Sequence, residues 1–223
     1  MIQQWEGLIQ KLVRSGVLKS SDVVRALRLV PREPFLPENV KANAAMDFPL
    51  PIGSGQTASA PHMVSIMDEA LELEVGHKVL EVGAGSGWHA ATIAEIVAPS
   101  GTSKAEWGHV YTIERLAELA AFADQNIANT GYSDRVTVIH QDGTLGYTEE
   151  APYDRILVAA AGPQVPKPLV EQLKNGGVLL VPVGGDQFYQ TLVRVRKVDG
   201  KTVEENLGGV AFVPLIGKHG FKP

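Results

Sequence analysis

Residues 80–87 read Leu80-Glu81-Val82-Gly83-Ala84-Gly85-Ser86-Gly87, an apolar run that breaks into three alternating glycines and leads straight into helix-periodic sequence from Trp88 to Val97. A chain can pass that sharply from a buried strand into a helix only where several residues adopt backbone conformations that favour glycine. The same change of period recurs downstream. Val110-Tyr111-Thr112-Ile113 reads as a strand and is followed by a helix through Leu116, Leu119, Ala120, Ala123 and Ile127. Val136–Ile139, Arg155–Val158 and Gly177–Val181 continue the series of short apolar runs. Strands alternating with helices predict an α/β fold, doubly wound around a mostly parallel sheet.

The flanks of this core differ from it. Trp5, Leu8, Ile9, Leu12 and Val13 recur at helical spacing, with Gly16 as a stop. Ser20, Ser21 and Asp22 can cap a second short helix that Pro31 ends. From Pro31 to Gly55 five prolines predict an ordered, mostly irregular connector that could act as a lid. Pro61 suits the first turn of a further helix carrying Met63, Ile66, Met67, Ala70 and Leu71. At the other end Thr191–Val195 alternates, Asp199-Gly200 is a turn signal, and Gly209–Leu215 reads as a strand, so an antiparallel edge is expected. The 223 residues suffice for one α/β domain. Within it, 1–60 would form a helical cap and substrate loop, 61–185 a cofactor-binding core, and 186–223 C-terminal strands.

Composition narrows the classes of function. A net charge of -5 supplies no general attraction for nucleic acid. Without cysteine, thiolate chemistry and cysteine-ligated metals are excluded, and the histidines show no metal-ligand spacing. No stretch approaches the roughly 20 apolar residues of a membrane span, and the N-terminus lacks a signal-peptide pattern. A cytoplasmic protein, working as a monomer away from membranes, is expected.

The three glycines allow backbone N–H groups to approach a ligand, and the helix start behind them favours an anionic group. Glu114, closing the next strand, can accept from ribose hydroxyls. Asp142, closing the third, can accept from an adenine amino group, with Gly143 leaving room for the ring. Three such positions on successive strand ends predict an adenosine cofactor. A nicotinamide fingerprint would put its third glycine at Trp88, which is too bulky for close packing there. The glycine pattern, with Glu81 ahead of it, resembles the signature of S-adenosylmethionine-dependent methyltransferases. That resemblance implies a seven-stranded sheet and S-adenosylmethionine as cofactor, with S-adenosylhomocysteine as product. It also implies a cofactor site drawn from Gln56 to Ser59 (with Thr57 and Ala58 between), Glu81, Gly83, Ala84, Gly85, Ser86, Gly87, Glu114, Arg115, Asp142 and Gly143.

The acceptor is narrowed by Pro49-Leu50-Pro51-Ile52-Gly53-Ser54-Gly55-Gln56-Thr57-Ala58-Ser59-Ala60-Pro61-His62-Met63. This segment resembles the one characteristic of protein L-isoaspartate methyltransferases, as do Val30–Pro37 and the tail around Val213-Pro214-Leu215. Ala58 departs from the larger aliphatic residue expected there. If Pro61 is the first helical residue, Ala60 is the cap and the Ser59 hydroxyl is not spent on capping. On spacing alone Ser59 reads equally as a cap after a slip of register, with Gln56-Thr57 a surface turn; the resemblance implies that Ser59 is the catalytic residue, with Thr57, Val213 and Leu215 beside it for substrate. His62 and His89 read as structural, and Trp88 and Trp107 as packing residues.

The resemblance implies methylation of the free carboxylate of L-isoaspartyl or D-aspartyl residues in damaged proteins and peptides. Such a carboxylate is ionised at neutral pH, with an unperturbed pKa of about 4, so no base is needed. The alternatives are a methyltransferase for a small molecule or RNA, a nicotinamide oxidoreductase, and a non-catalytic adenosine-binding module.

Overall fold

The computed structural model describes residues 2–186 and 189–222. Helix α1 (Ile2–Arg14) ends at Gly16, and α2 (Ser21–Leu29) is capped by Ser20, whose hydroxyl accepts from the Val23 N–H. The connector that follows is largely irregular, as expected, with short 3-10 turns at Glu33–Phe35 and Glu38–Asn43. It also contains a small antiparallel hairpin, β1 (Leu50–Gly53) with β2 (Gln56–Ala58). Helix α3 (Pro61–Leu71) precedes β3 (Lys78–Val82), α4 (Trp88–Val97), β4 (His109–Glu114), α5 (Ala117–Asn129) and β5 (Val136–His140). Then come β6 (Tyr153–Val158), the short α6 (Lys167–Glu171), β7 (Leu173–Gly184), β8 (Gln190–Val198) and β9 (Lys201–Val210).

Seven strands form one sheet in the order β5-β4-β3-β6-β7-β8-β9. Pairing is parallel from β5 to β7 and antiparallel at β7–β8 and β8–β9. The chain runs outward from β3 through β4 to β5, then crosses back so that β6 lies on the other side of β3. Strand order reverses at that point, leaving a crevice beyond the carboxyl ends of the strands, where open α/β sheets bind ligands.

Side chains alternate across the sheet. Val79, Val110, Leu157 and Leu180 face a core built with α1, α2, α3 and α4, whereas Leu80, Val82, Ile113, Ile156 and Leu179 face α6 and the C-terminal segment. Trp88 is buried where α4 meets the cap: its indole N–H donates to the Val30 carbonyl, and its ring meets Trp5 edge-on at 5.9 Å. A third cluster joins the connector and hairpin to Leu119 of α5. No helix among the described residues is long and apolar enough to cross a membrane.

One expected strand is displaced. The last strand is Lys201–Val210 rather than Gly209–Leu215. Its side chains are almost all exposed, so no hydrophobic alternation marks it; the Asp199-Gly200 turn and hydrogen bonds to β8 define it instead. The apolar segment after it leaves the sheet, with Ala161 N–H donating to the Val213 carbonyl and Leu215 N–H to the Ala161 carbonyl. Pro214, which has no N–H to give a ladder, sits between them.

Leu157 lies fully buried in central β6, whereas Val203 on edge strand β9 is 58% exposed. Leu157→Ala is expected to lower unfolding free energy by about 2–5 kcal/mol and Val203→Ala by under about 0.5 kcal/mol, measured by denaturant titration.

Candidate active site

The turn from β3 into α4 uses all three glycines in the left-handed region, with φ of 100° at Gly83, 54° at Gly85 and 82° at Gly87. The N–H groups of Gly83 and Ala84 both donate to the Ile113 carbonyl, at 2.8 and 3.0 Å, which binds the turn to the end of β4. Glu114 continues the link: one carboxylate oxygen accepts from Gly85 N–H and the other from Leu116 N–H, each at 3.0 Å. Ile52 of β1 reaches over the turn, so that a Cβ on Gly85 would stand 3.3 Å from its terminal methyl carbon. The hairpin thus roofs the glycine turn.

A cavity opens between this roof and the strand ends, and most of the expected cofactor residues line it: Gln56 to Ser59, Glu81, the turn from Gly83 to Ser86, Glu114, Arg115 and Gly143. Two do not. Gly87 is buried behind the turn, where a Cβ would lie 3.2 Å from the Ala123 carbonyl oxygen of α5. Asp142 is committed to the C-terminal tail: it accepts from Lys218 N–H at 2.8 Å and from both Thr144 N–H and hydroxyl, at 2.9 and 2.7 Å. Burial pushes its carboxyl up, but these donors outweigh burial and hold it below the ordinary aspartate value. Gly143 is required by packing, since a Cβ there would fall 2.4 Å from a Val82 methyl.

Against the cavity lies a buried cluster of which only Glu81 belongs to the expected site. Glu81 and Thr112 are directly opposed on β3 and β4, and the Thr112 hydroxyl donates to Glu81 Oε2 at 2.5 Å. Glu81 Oε1 is buried and has no hydrogen-bond partner. His89, the second residue of α4, places Nδ1 3.8 Å from that oxygen, and its Nε2 lies 2.9 Å from Asp68 Oδ1 of α3. Burial pushes the Glu81 carboxyl up to about 7, against the opposing pull of His89 and Thr112. Burial also raises Asp68. For His89, burial favours the neutral ring, but Asp68 and Glu81 together outweigh it and raise its pKa.

Ser59 sits where the hairpin enters α3. Ala60 is the N-cap residue and makes no side-chain capping bond, and Pro61 opens the helix, so the Ser59 hydroxyl is not a cap. Arg32 secures this entry from beneath, donating to the carbonyls of Ala58, Phe48 and Met46 while its guanidinium lies over the Trp88 ring. His62 is held by Asp47, which accepts from its backbone N–H at 2.9 Å and contacts Nδ1 at 2.9 Å. A second cavity, an outer groove of about 530 Å³, lies beyond, bounded by α3 on one side and by Gln190 and residues 209–213 on the other. The two cavities share Thr57, Ser59, Ala159 and Val213. Leu215, expected beside the substrate, lines the inner cavity only.

The inner cavity fits the amino-acid and ribose portions of an adenosine cofactor. Its glycine turn admits close approach, Glu114 can accept from hydroxyls, and the unpartnered Glu81 oxygen calls for a cationic donor. With a strand-order reversal beneath it and a second cavity joined to it, this site defines an S-adenosylmethionine-dependent methyltransferase. The model of the family described as protein-L-isoaspartate(D-aspartate) O-methyltransferase matches residues 3–220. The chain is 53% identical to a protein-L-isoaspartate O-methyltransferase of Hyperthermus butylicus, over 96% of this chain and 89% of that one. It is 51% identical to one of Methanothermobacter thermautotrophicus, over 100% of this chain and 99% of that one. Its structure is similar to the crystal structure of a Plasmodium falciparum protein described as a putative protein-L-isoaspartate O-methyltransferase in complex with S-adenosyl-L-homocysteine. The TM-score is 0.81 at 27% identity, over 95% and 98% of the two chains. The chain therefore belongs to the protein-L-isoaspartate(D-aspartate) O-methyltransferase family.

Glu81 carries a pH signature. A carboxyl whose folded pKa is raised favours the folded state at low pH, and that advantage is lost as pH climbs from the ordinary value of about 4.3 through about 7. Glu81→Gln should therefore gain stability relative to the unsubstituted protein by about 1 kcal/mol or more between pH 4.5 and pH 8, read from denaturant midpoints. A difference that stays flat across this range would contradict burial of an ionisable Glu81.

Proposed function

We propose that the chain transfers a methyl group from S-adenosylmethionine to the free carboxylate of L-isoaspartyl, or D-aspartyl, residues in damaged proteins and peptides. The observation that carries the reading is the junction of the two cavities at Ser59. The inner cavity holds the cofactor, whose sulfonium supplies an electrophilic methyl group when bound. The outer groove admits an extended peptide, and Thr57 and Ser59 orient the carboxylate oxygens at the junction.

Little else is required of the protein. The acceptor is already ionised, and attack and departure are in line, so catalysis consists mainly of alignment and exclusion of water. Opposite charges cancel as the bond forms, and a full positive charge at the junction would hold the carboxylate back. Hydroxyl donors suit that demand better than Arg32, which is spent on the connector's carbonyls. His62, tied to Asp47, orders the groove wall. The methyl ester formed closes to a succinimide with loss of methanol, and hydrolysis returns part of the residue to normal aspartate.

The testing experiment supplies methyl-labelled S-adenosylmethionine with an isoaspartyl peptide and its aspartyl twin. Label should enter only the isoaspartyl peptide as a base-labile ester; labelling of neither would overturn the reading. Ser59→Ala should lower kcat by about 10²-fold through misalignment. Its affinity for S-adenosylhomocysteine, measured by calorimetry, should change by less than about threefold.

A further inference from the structure

The transfer described above makes no use of Asp68 or His89, yet with Glu81 they form a cluster that opens onto the cofactor cavity. His89 and Glu81 line that cavity, and Asp68 stands behind them. Asp68 engages Nε2, so the ring presents Nδ1 toward Glu81. The 3.8 Å between Nδ1 and Glu81 Oε1 is too long for a hydrogen bond, and Oε1 is unpartnered although fully buried. Two polar atoms of opposite character therefore stand side by side on the wall without satisfying each other.

The surrounding groups decide the charge on the ring. Asp68 and Glu69 bear on the cluster from α3, Glu81 from β3 and Glu114 from β4, and all are acids. A ring enclosed by carboxylates is favoured in its cationic form, which makes Nδ1 a donor. His89 also lies in the first turn of α4, whose N–H groups lack intrahelical acceptors and favour an anion.

We propose that His89, backed by Asp68, is a cofactor-positioning residue: Nδ1–H pairs with the carboxylate at the amino-acid end of S-adenosylmethionine while Glu81 Oε1 takes the neighbouring ammonium. An α-amino acid carries both charges on one carbon, matching the close spacing of the two wall atoms. Anchoring that end sets where the sulfur falls along the cavity, and so its distance from Ser59. The inference rests on the methyltransferase reading, and its test separates the two.

The probes are S-adenosylhomocysteine and its decarboxylated analogue, 5′-S-(3-aminopropyl)-5′-thioadenosine, with Kd for each measured by calorimetry. In the unsubstituted protein, loss of the carboxylate should weaken binding at least tenfold at pH 7. In His89→Leu the two ligands should differ by less than threefold. The advantage of the carboxylate should be full below the His89 pKa and fall away as pH rises through it. Asp68→Asn keeps the ring and its Nε2 acceptor but removes a negative charge, so the fall should move to lower pH. That variant also guards against a His89→Leu protein that fails to fold. If the unsubstituted protein does not bind S-adenosylhomocysteine, the methyltransferase reading falls and the proposal with it. If it binds, but the ratio of the two Kd values is unchanged in His89→Leu or insensitive to pH in the unsubstituted protein, the proposal alone is overturned.

Discussion

The β3–α4 turn is the fixed point of the molecule. Two N–H groups of that turn converge on the Ile113 carbonyl and a third meets Glu114, so the ends of two adjacent strands and the start of a buried helix are locked as one unit. Only residues free of a Cβ can take this path, with three left-handed positions in five residues. Every other part of the site is placed against it. The hairpin lies over Gly85 through Ile52, α5 closes on Gly87, and Val82 packs against Gly143.

From that anchor the second half of the site follows by packing. Arg32 joins the connector to Trp88 on α4 and thereby holds the chain just before Ser59 in register with the glycine turn. A cation buried on three carbonyls is costly, and burial lowers its pKa to about 10 although the nearby Asp47 carboxylate opposes the fall. What it secures is the distance between α4 and the segment that lines both cavities at Thr57 and Ser59. In a reaction governed by alignment, that distance is the variable on which rate depends.

Much of this was legible in the sequence because the relevant signals are local. A strand that breaks into alternating glycines, an acid closing each of the next two strands, and a proline that removes Ser59 from capping duty are read from neighbours alone. Non-local contacts were not legible. The hairpin spans only four and three residues among prolines, too short for a period to show. Strand β9 has no buried face, so its place is set by the β8 ladder. Asp142 closes the third strand as expected, but its oxygens turn to Thr144 and to Lys218, 76 residues away. Asp68 could have been noticed, since it interrupts the apolar stripe of Val64, Met67 and Leu71, and a buried acid requires a partner. That the partner is His89 depends on how α3 and α4 pack.

A cofactor seated on the glycine turn is expected to direct its sulfur at Ser59, where the two cavities meet. A crystal structure with S-adenosylhomocysteine bound measures this directly. The sulfur is expected at the junction, facing the Ser59 hydroxyl and open to the outer groove. A sulfur turned toward α5 or the C-terminal tail, with Ser59 on the far side of the ligand, would contradict it.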